Sequence, residues 1–167
     1  PIRANVHTRL RKLSEGKVDA LVLALAGLNR IGASQARSHP LPWEVMLPAP
    51  GQGALAVEIR STDSLLRKTL SNLLDDPSTA AEVSAERAFL KTLGVGCQMP
   101  VGSLGRVSGG SLELLGVVVS ADGKRILRDS ILGSSDLPVE AGIELGRRLL
   151  AAGAAKLLGA SSPPAMP

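Results

Sequence analysis

Residues 100–132 read PVGSLGRVSGGSLELLGVVVSADGKRILRDSIL, and this run decides the fold of the region around it. Ser108-Gly109-Gly110 and Asp122-Gly123 are hairpin-turn signals, so the run divides into strands at about 100–106, 112–119 and 125–132. Leu112, Leu114, Gly116 and Val118 alternate with Glu113, Leu115, Val117 and Val119, which makes one face apolar and the other partly so.

Helical patterns flank the strands on both sides. Thr79 and Glu82 form a capping-box pair ahead of a helix whose apolar side holds Val83, Ala85, Phe89, Leu90 and Leu93. Gly94 suits the residue just past its end. Upstream, Thr62 to Leu74 reads as an amphipathic helix with apolar positions 65, 66, 70, 73 and 74, closed by Asp75-Asp76-Pro77. Downstream, Asp136-Leu137-Pro138 opens a long helix to about Leu158, with Val139, Ile143 and Leu150 inward; 161–167 is a low-complexity tail. Helices around a three-stranded antiparallel sheet make a self-contained α+β domain.

The first third of the chain follows different rules. Residues 2–4 suit the end of a strand, Asn5 an N-cap, and Val6, Leu10 and Leu13 a helical stripe before Gly16. Asp19 to Ala26 (DALVLALA) is the continuous apolar run of a buried parallel strand, and Gly27 turns into a short helix carrying Arg30. Strand, helix and strand form a βαβ unit, which needs further strands to be stable. With Pro1 in place of Met, the expectation is a piece of a longer protein. Residues 32–50 are irregular, with Pro40, Pro42, Pro48 and Pro50, and Gly51-Gln52-Gly53 leads into an alternating strand from Leu55 to Ile59.

Composition narrows the classes. The 167 residues contain one Trp, one Phe and no Tyr, too few stacking platforms for single-stranded nucleic acid. No run approaches the ~20 apolar residues of a membrane span. A single cysteine excludes an internal disulfide and fits a reducing compartment, and His7 and His39 lack metal-ligand spacing. Residues 1–47 hold seven Lys/Arg against three Asp/Glu, whereas 48–167 hold twelve of each. The excess of positive charge is therefore local to the first segment and points to an anionic partner there.

Two sets of residues are candidates for chemistry. Arg3 and Arg9 flank the start of the first helix, and Arg30 follows the next strand on the same side of a parallel sheet. Guanidinium groups beside helix amides suit carboxylates or phosphates; the other reading is a solvated helix face. Cys97 lies in Gly94-Val95-Gly96-Cys97-Gln98-Met99-Pro100, after a helix C-terminus, where the dipole gives a thiolate no support. On that evidence alone it is an unreactive thiol.

Several stretches together resemble the porphobilinogen deaminase (hydroxymethylbilane synthase) family. They are Arg3-Ala4-Asn5-Val6-His7-Thr8-Arg9-Leu10 with Lys12-Leu13, Asp19-Ala20 through Ala26-Gly27-Leu28, Leu47-Pro48-Ala49-Pro50-Gly51-Gln52-Gly53-Ala54, Ala85-Glu86-Arg87, and Gly96-Cys97-Gln98-Met99-Pro100-Val101-Gly102. The set occurs in the family's order and spacing from residue 2 to about 158. Val95 and Ala4 stand where many members have Gly.

The resemblance implies a dipyrromethane cofactor joined to Cys97 by a thioether, with Arg3, Arg9, Ala24, Gln52 and Gly53 around it. It implies Arg3, Arg9 and Arg30 as sites for the acetate and propionate groups of porphobilinogen and the growing polypyrrole chain. The activity implied is head-to-tail condensation of four porphobilinogen molecules with release of ammonia, in tetrapyrrole biosynthesis. No acid here matches the family's catalytic aspartate, so the chain is expected to be inactive alone and to require the family's N-terminal domain as partner. The implied divisions are 1–47, part of a periplasmic-binding-protein-like α/β domain; 48–76, a crossover segment; and 77–160, the cofactor-carrying α+β domain. The full-length protein is expected to be a cytoplasmic (or plastid) monomer that binds neither nucleic acid nor membrane. The competing expectation is a non-enzymatic anion- or nucleic-acid-binding module that uses the basic first segment.

Overall fold

A computed structural model describes residues 4–33, 38–96 and 98–159. The chain forms two compact units, Pro1–Pro42 and Trp43–Pro167.

In the first unit, helix α1 spans Val6–Ser14, and Asn5 caps it by accepting the Thr8 N–H at 2.9 Å. Val6, Leu10 and Leu13 are half-buried. Helix α2 spans Leu25–Arg30 and buries Leu28. A Cβ on Gly27 would meet the Val6 side chain at 3.6 Å, so the two helices come close there. The strand expected over 19–26 does not form: 20–24 make no ladder, and Leu25 and Ala26 belong to α2. A strand needs a neighbour to take its amides and carbonyls, and none of the described residues pairs with this run. Val22 is accordingly 65% exposed. Of the strand end expected at 2–4, only Ala4 lies within the described residues.

The same rule operates at the start of the second unit. Residues 55–59 form no strand, leaving Leu55 90% and Val57 62% exposed. Helix α3, Ser64–Leu74, is capped by Asp63 and ends at Asp75 as expected, but Leu65, Leu73 and Leu74 are exposed.

Helix α4 spans Pro77–Thr92. Its N-cap is Asp76, which accepts the Thr79 N–H at 2.7 Å, with Pro77 in the first turn. The capping box expected between Thr79 and Glu82 is therefore not used, and Glu82 turns elsewhere. After Gly94, in the left-handed region at φ +69°, come β1 (Val101–Ser108), β2 (Ser111–Val119) and β3 (Ile126–Ser134). They form an antiparallel sheet in the order β1-β2-β3, with Val101 opposite Val118 and Leu114 opposite Ile131. Gly109 and Gly110, both at positive φ, make the two-residue turn.

The even-numbered residues of β2 face α4 and α5 (Pro138–Ala151), and Phe89, Leu112, Leu114, Val118 and Leu145 are fully buried between these layers. The opposite sheet face carries the segment before β1. The Arg106 guanidinium lies 5.4 Å from the Trp43 ring, Arg128 donates to the Glu44 carbonyl at 2.8 Å, and Leu47 packs against Gly102.

The inward face of α5 differs from expectation. Ala141, Gly142, Leu145, Gly146 and Leu149 are buried, whereas Val139 is exposed and Ile143 and Leu150 are half-buried. Small residues take the crossing because α4 lies against it. A Cβ on Gly142 would fall on the Ala85 carbonyl and within 2.7 Å of the Ala88 Cβ, and one on Gly146 within 2.6 Å of the Thr92 Cβ. After Gly153 the helix restarts as the short α6, Ala154–Leu157.

Gly142→Ala is expected to destabilise the chain by about 2–3 kcal/mol through overpacking, although the same change in an open helix gains about 1 kcal/mol. Urea unfolding gives the sign directly.

Candidate functional site

The first unit supplies cations. Arg9 lies one turn into α1, and its Nε donates to the Ala4 carbonyl at 2.7 Å, which fixes the guanidinium beside the helix start. Arg30 is exposed at the last residue of α2, whose N-cap is Ala24. Among the described residues neither arginine has a carboxylate within ion-pair distance, whereas Arg11 and Lys17 both meet Glu15, at 3.6 and 2.6 Å. Two guanidinium groups without a carboxylate partner among the described residues, on neighbouring helices, suit a ligand that brings its own carboxylates. Arg3 lies outside the described residues.

The second unit supplies a turn. In Ala49-Pro50-Gly51-Gln52 the Gln52 N–H donates to the Ala49 carbonyl at 3.2 Å, and Gly51 has φ +76°. Proline second and a positive-φ glycine third are the requirements of a type II turn. Gln52 and Gly53 leave it exposed. Two tethers hold the turn, one to β1 and one to α4: the Pro48 carbonyl accepts the Ser103 N–H at 2.9 Å, and the Glu86 carboxylate accepts the Gly51 N–H at 2.6 Å.

Glu86, only 7% exposed, is the centre of this arrangement. Its second oxygen accepts the Gly105 N–H at 2.8 Å, and one turn earlier Glu82 accepts the Val107 N–H at 2.8 Å. The outer edge of β1 thus places amides 103, 105 and 107 on a carbonyl and two carboxylates. Four helical residues rise about 6 Å and two strand residues about 6.8 Å, so Glu82 and Glu86 match alternate amides of a strand. Gly105 permits the approach, since a Cβ there would lie 2.9 Å from the Glu82 Cα.

Burial pushes the Glu86 carboxyl above its ordinary value of 4.5; the Gly51 and Gly105 amides oppose the rise, and the Glu82 carboxylate adds to it.

Glu86 was not among the residues expected at the site. Its signal in the sequence is a glutamate inside the buried stripe of α4, between Ala85 and Phe89. Cys97, the residue on which the cofactor expectation rests, lies outside the described residues. On either side of it, Gly94 ends α4, the Gly96 carbonyl accepts the Met99 N–H at 3.1 Å, and β1 begins at Val101. Arg9, Ala24 and Arg30 share the first unit, and Gln52 and Gly53 belong to the second.

The first unit thus offers Arg9 and Arg30, which have no carboxylate within ion-pair distance among the described residues, and the second, taken by itself, offers a cradled backbone turn. Comparison with known proteins supplies the assignment. Residues 1–68 match the family model described as porphobilinogen deaminase, dipyromethane cofactor binding domain, and residues 80–151 match that of the porphobilinogen deaminase C-terminal domain. The chain belongs to the porphobilinogen deaminase family. It is 48% identical over 158 residues to the porphobilinogen deaminase of Desulforudis audaxviator, covering 95% of this chain and 51% of that protein. It is 47% identical to that of Trichlorobacter lovleyi (94% and 50%) and 45% to that of Moorella thermoacetica (94% and 50%). The chain spans about half the length of these curated relatives.

A carboxyl whose folded-state value is raised contributes stability that is complete below its unfolded value of 4.5 and is lost as pH rises through the folded one. The wild type is therefore expected to gain stability relative to Glu86→Gln as pH falls from about 7 to about 5. Urea unfolding of both proteins at the two pH values checks the direction.

Proposed function

We propose that the chain is the C-terminal portion of a hydroxymethylbilane synthase, which condenses four porphobilinogen molecules head-to-tail and releases ammonia at each step. The observation that carries this reading is the ordered match of two models of one family, over 1–68 and 80–151. Dipyrromethane, bound through a Cys97 thioether, supplies the primer to which pyrrole units are added. A tether of that kind needs no activated thiol during turnover, in keeping with the helix C-terminus that precedes Cys97 in the sequence.

The protein's own residues bind and orient. Arg3, Arg9 and Arg30 hold acetate and propionate groups through the forked donors of their planar guanidinium groups. Support for this comes from Arg9 and Arg30 having no carboxylate within ion-pair distance among the described residues, whereas Arg11 and Lys17 are paired. Ala24, Gln52 and Gly53 line the pyrroles. Residues 1–47 belong to a periplasmic-binding-protein-like α/β domain whose remaining strands pair with 19–26, and 48–76 cross to the N-terminal domain, pairing 55–59. The exposed Val22, Leu55 and Val57 fit strands that await partners. Turnover is assigned to the full-length cytoplasmic monomer, since no acid here matches the family aspartate.

Full-length protein is expected to carry the mass of dipyrromethane, and Cys97→Ser to lack it; an active wild type of unmodified mass would overturn the reading. Arg9→Ala in the full-length protein is expected to raise KM for porphobilinogen about tenfold or more, the loss of a charge-assisted bond, while costing no more than about 1 kcal/mol of stability for its bond to Ala4. Steady-state kinetics and urea unfolding separate the two effects.

A further inference from the structure

We infer that Glu86 is the positioning residue of the Ala49–Gly53 turn, and that α4 sets, through this side chain, the path of Gln52 and Gly53 past the bound pyrroles. The inference rests on the functional reading above for what the turn touches, but the device itself is independent of it.

The turn is closed internally by the Gln52 N–H on the Ala49 carbonyl, which fixes its shape and leaves its orientation free. Orientation requires two external points. Pro48 provides the first, through its carbonyl on the Ser103 N–H. The second is Gly51, three residues on, whose N–H reaches Glu86 Oε2 at 2.6 Å. Glu86 is itself rigid: it is buried, it springs from the middle of α4, and its other oxygen is held by the Gly105 N–H at 2.8 Å. Movement of the turn therefore requires that a buried carboxylate lose a charge-assisted bond or draw α4 away from β1.

Glutamate is the residue this position requires. Both neighbours are N–H donors, so the side chain has to accept twice; an amide in its place would accept once and present its own N–H₂ to the other donor. Aspartate, one methylene shorter, falls back towards the helix. Glu82 is the natural comparison, because it makes the same kind of bond to the β1 edge, at Val107, with no bond to the turn. A merely structural carboxylate would behave like Glu82.

The test compares Glu86→Gln, Glu86→Asp and Glu82→Gln in the full-length protein. Hydrogen exchange at the Gly51 amide is expected to speed up at least about tenfold in both Glu86 variants and to stay within twofold of wild type, a margin of about 0.4 kcal/mol, in Glu82→Gln. KM for porphobilinogen is expected to rise about tenfold in the Glu86 variants, with the dipyrromethane adduct still present by mass and kcat little changed, and to remain near wild type in Glu82→Gln. Equal KM shifts in Glu82→Gln and Glu86→Gln, or unchanged Gly51 exchange in the Glu86 variants, would overturn the inference. If Glu86→Gln does not fold, Glu86→Asp carries the comparison. A wild type without the adduct would sink the functional reading alone, and Gly51 exchange would still decide whether Glu86 holds the turn.

Discussion

An edge strand has one row of amides with no strand to receive them, and the structure of the second unit depends on how β1 meets that requirement. Buried amides without acceptors cost more than ordinary hydrogen bonds return, and an open edge invites pairing with other chains. Here amides 103, 105 and 107 are taken by the Pro48 carbonyl, Glu86 and Glu82. The solution commits α4 to run alongside β1, and Gly105 is the concession that lets the helix come close enough.

The rest of the unit follows from that commitment. With α4 fixed by its carboxylates, Phe89 reaches across to Gly116, where a Cβ would lie 2.8 Å from the ring, and α5 enters beside it through Gly142 and Gly146. Close helix approach through small residues leaves Leu145, Leu112, Leu114 and Val118 to fill the volume between helices and sheet. The other sheet face is crossed by 43–48, and the same chain then makes the turn that Glu86 holds. Fold and candidate site thus share one side chain: the carboxylate that closes the strand edge also holds the Ala49–Gly53 turn.

Much of this was legible in the residues. The three strands, their two turns, Asn5 as cap, the Gly94 terminus and the end of α3 at Asp75 all follow from local rules, and local rules suffice where the partners lie within the chain. The runs 19–26 and 55–59 have strand composition and no strand, because pairing is a property of two segments and composition describes one. On α5 the periodicity was right and the phase was not: a leucine-and-valine count puts Val139 and Ile143 inward, whereas helix–helix contact selects glycines that such a count ignores. Glu86 was concealed by the rule that charged residues face water. Only the geometry of two facing amide donors gives a glutamate reason to be buried. The family was legible because ordered motifs carry information that single residues do not.

Central to all of this is a single carboxylate that accepts from both Gly51 and Gly105. Titration of the chain labelled at the Glu86 carboxyl carbon, with the Gly51 and Gly105 amide protons followed in the same spectra, tests that claim most directly. The three signals are expected to move together with one midpoint above the ordinary glutamate value of 4.5. Gly51 or Gly105 amide protons that do not follow the carboxyl would contradict it.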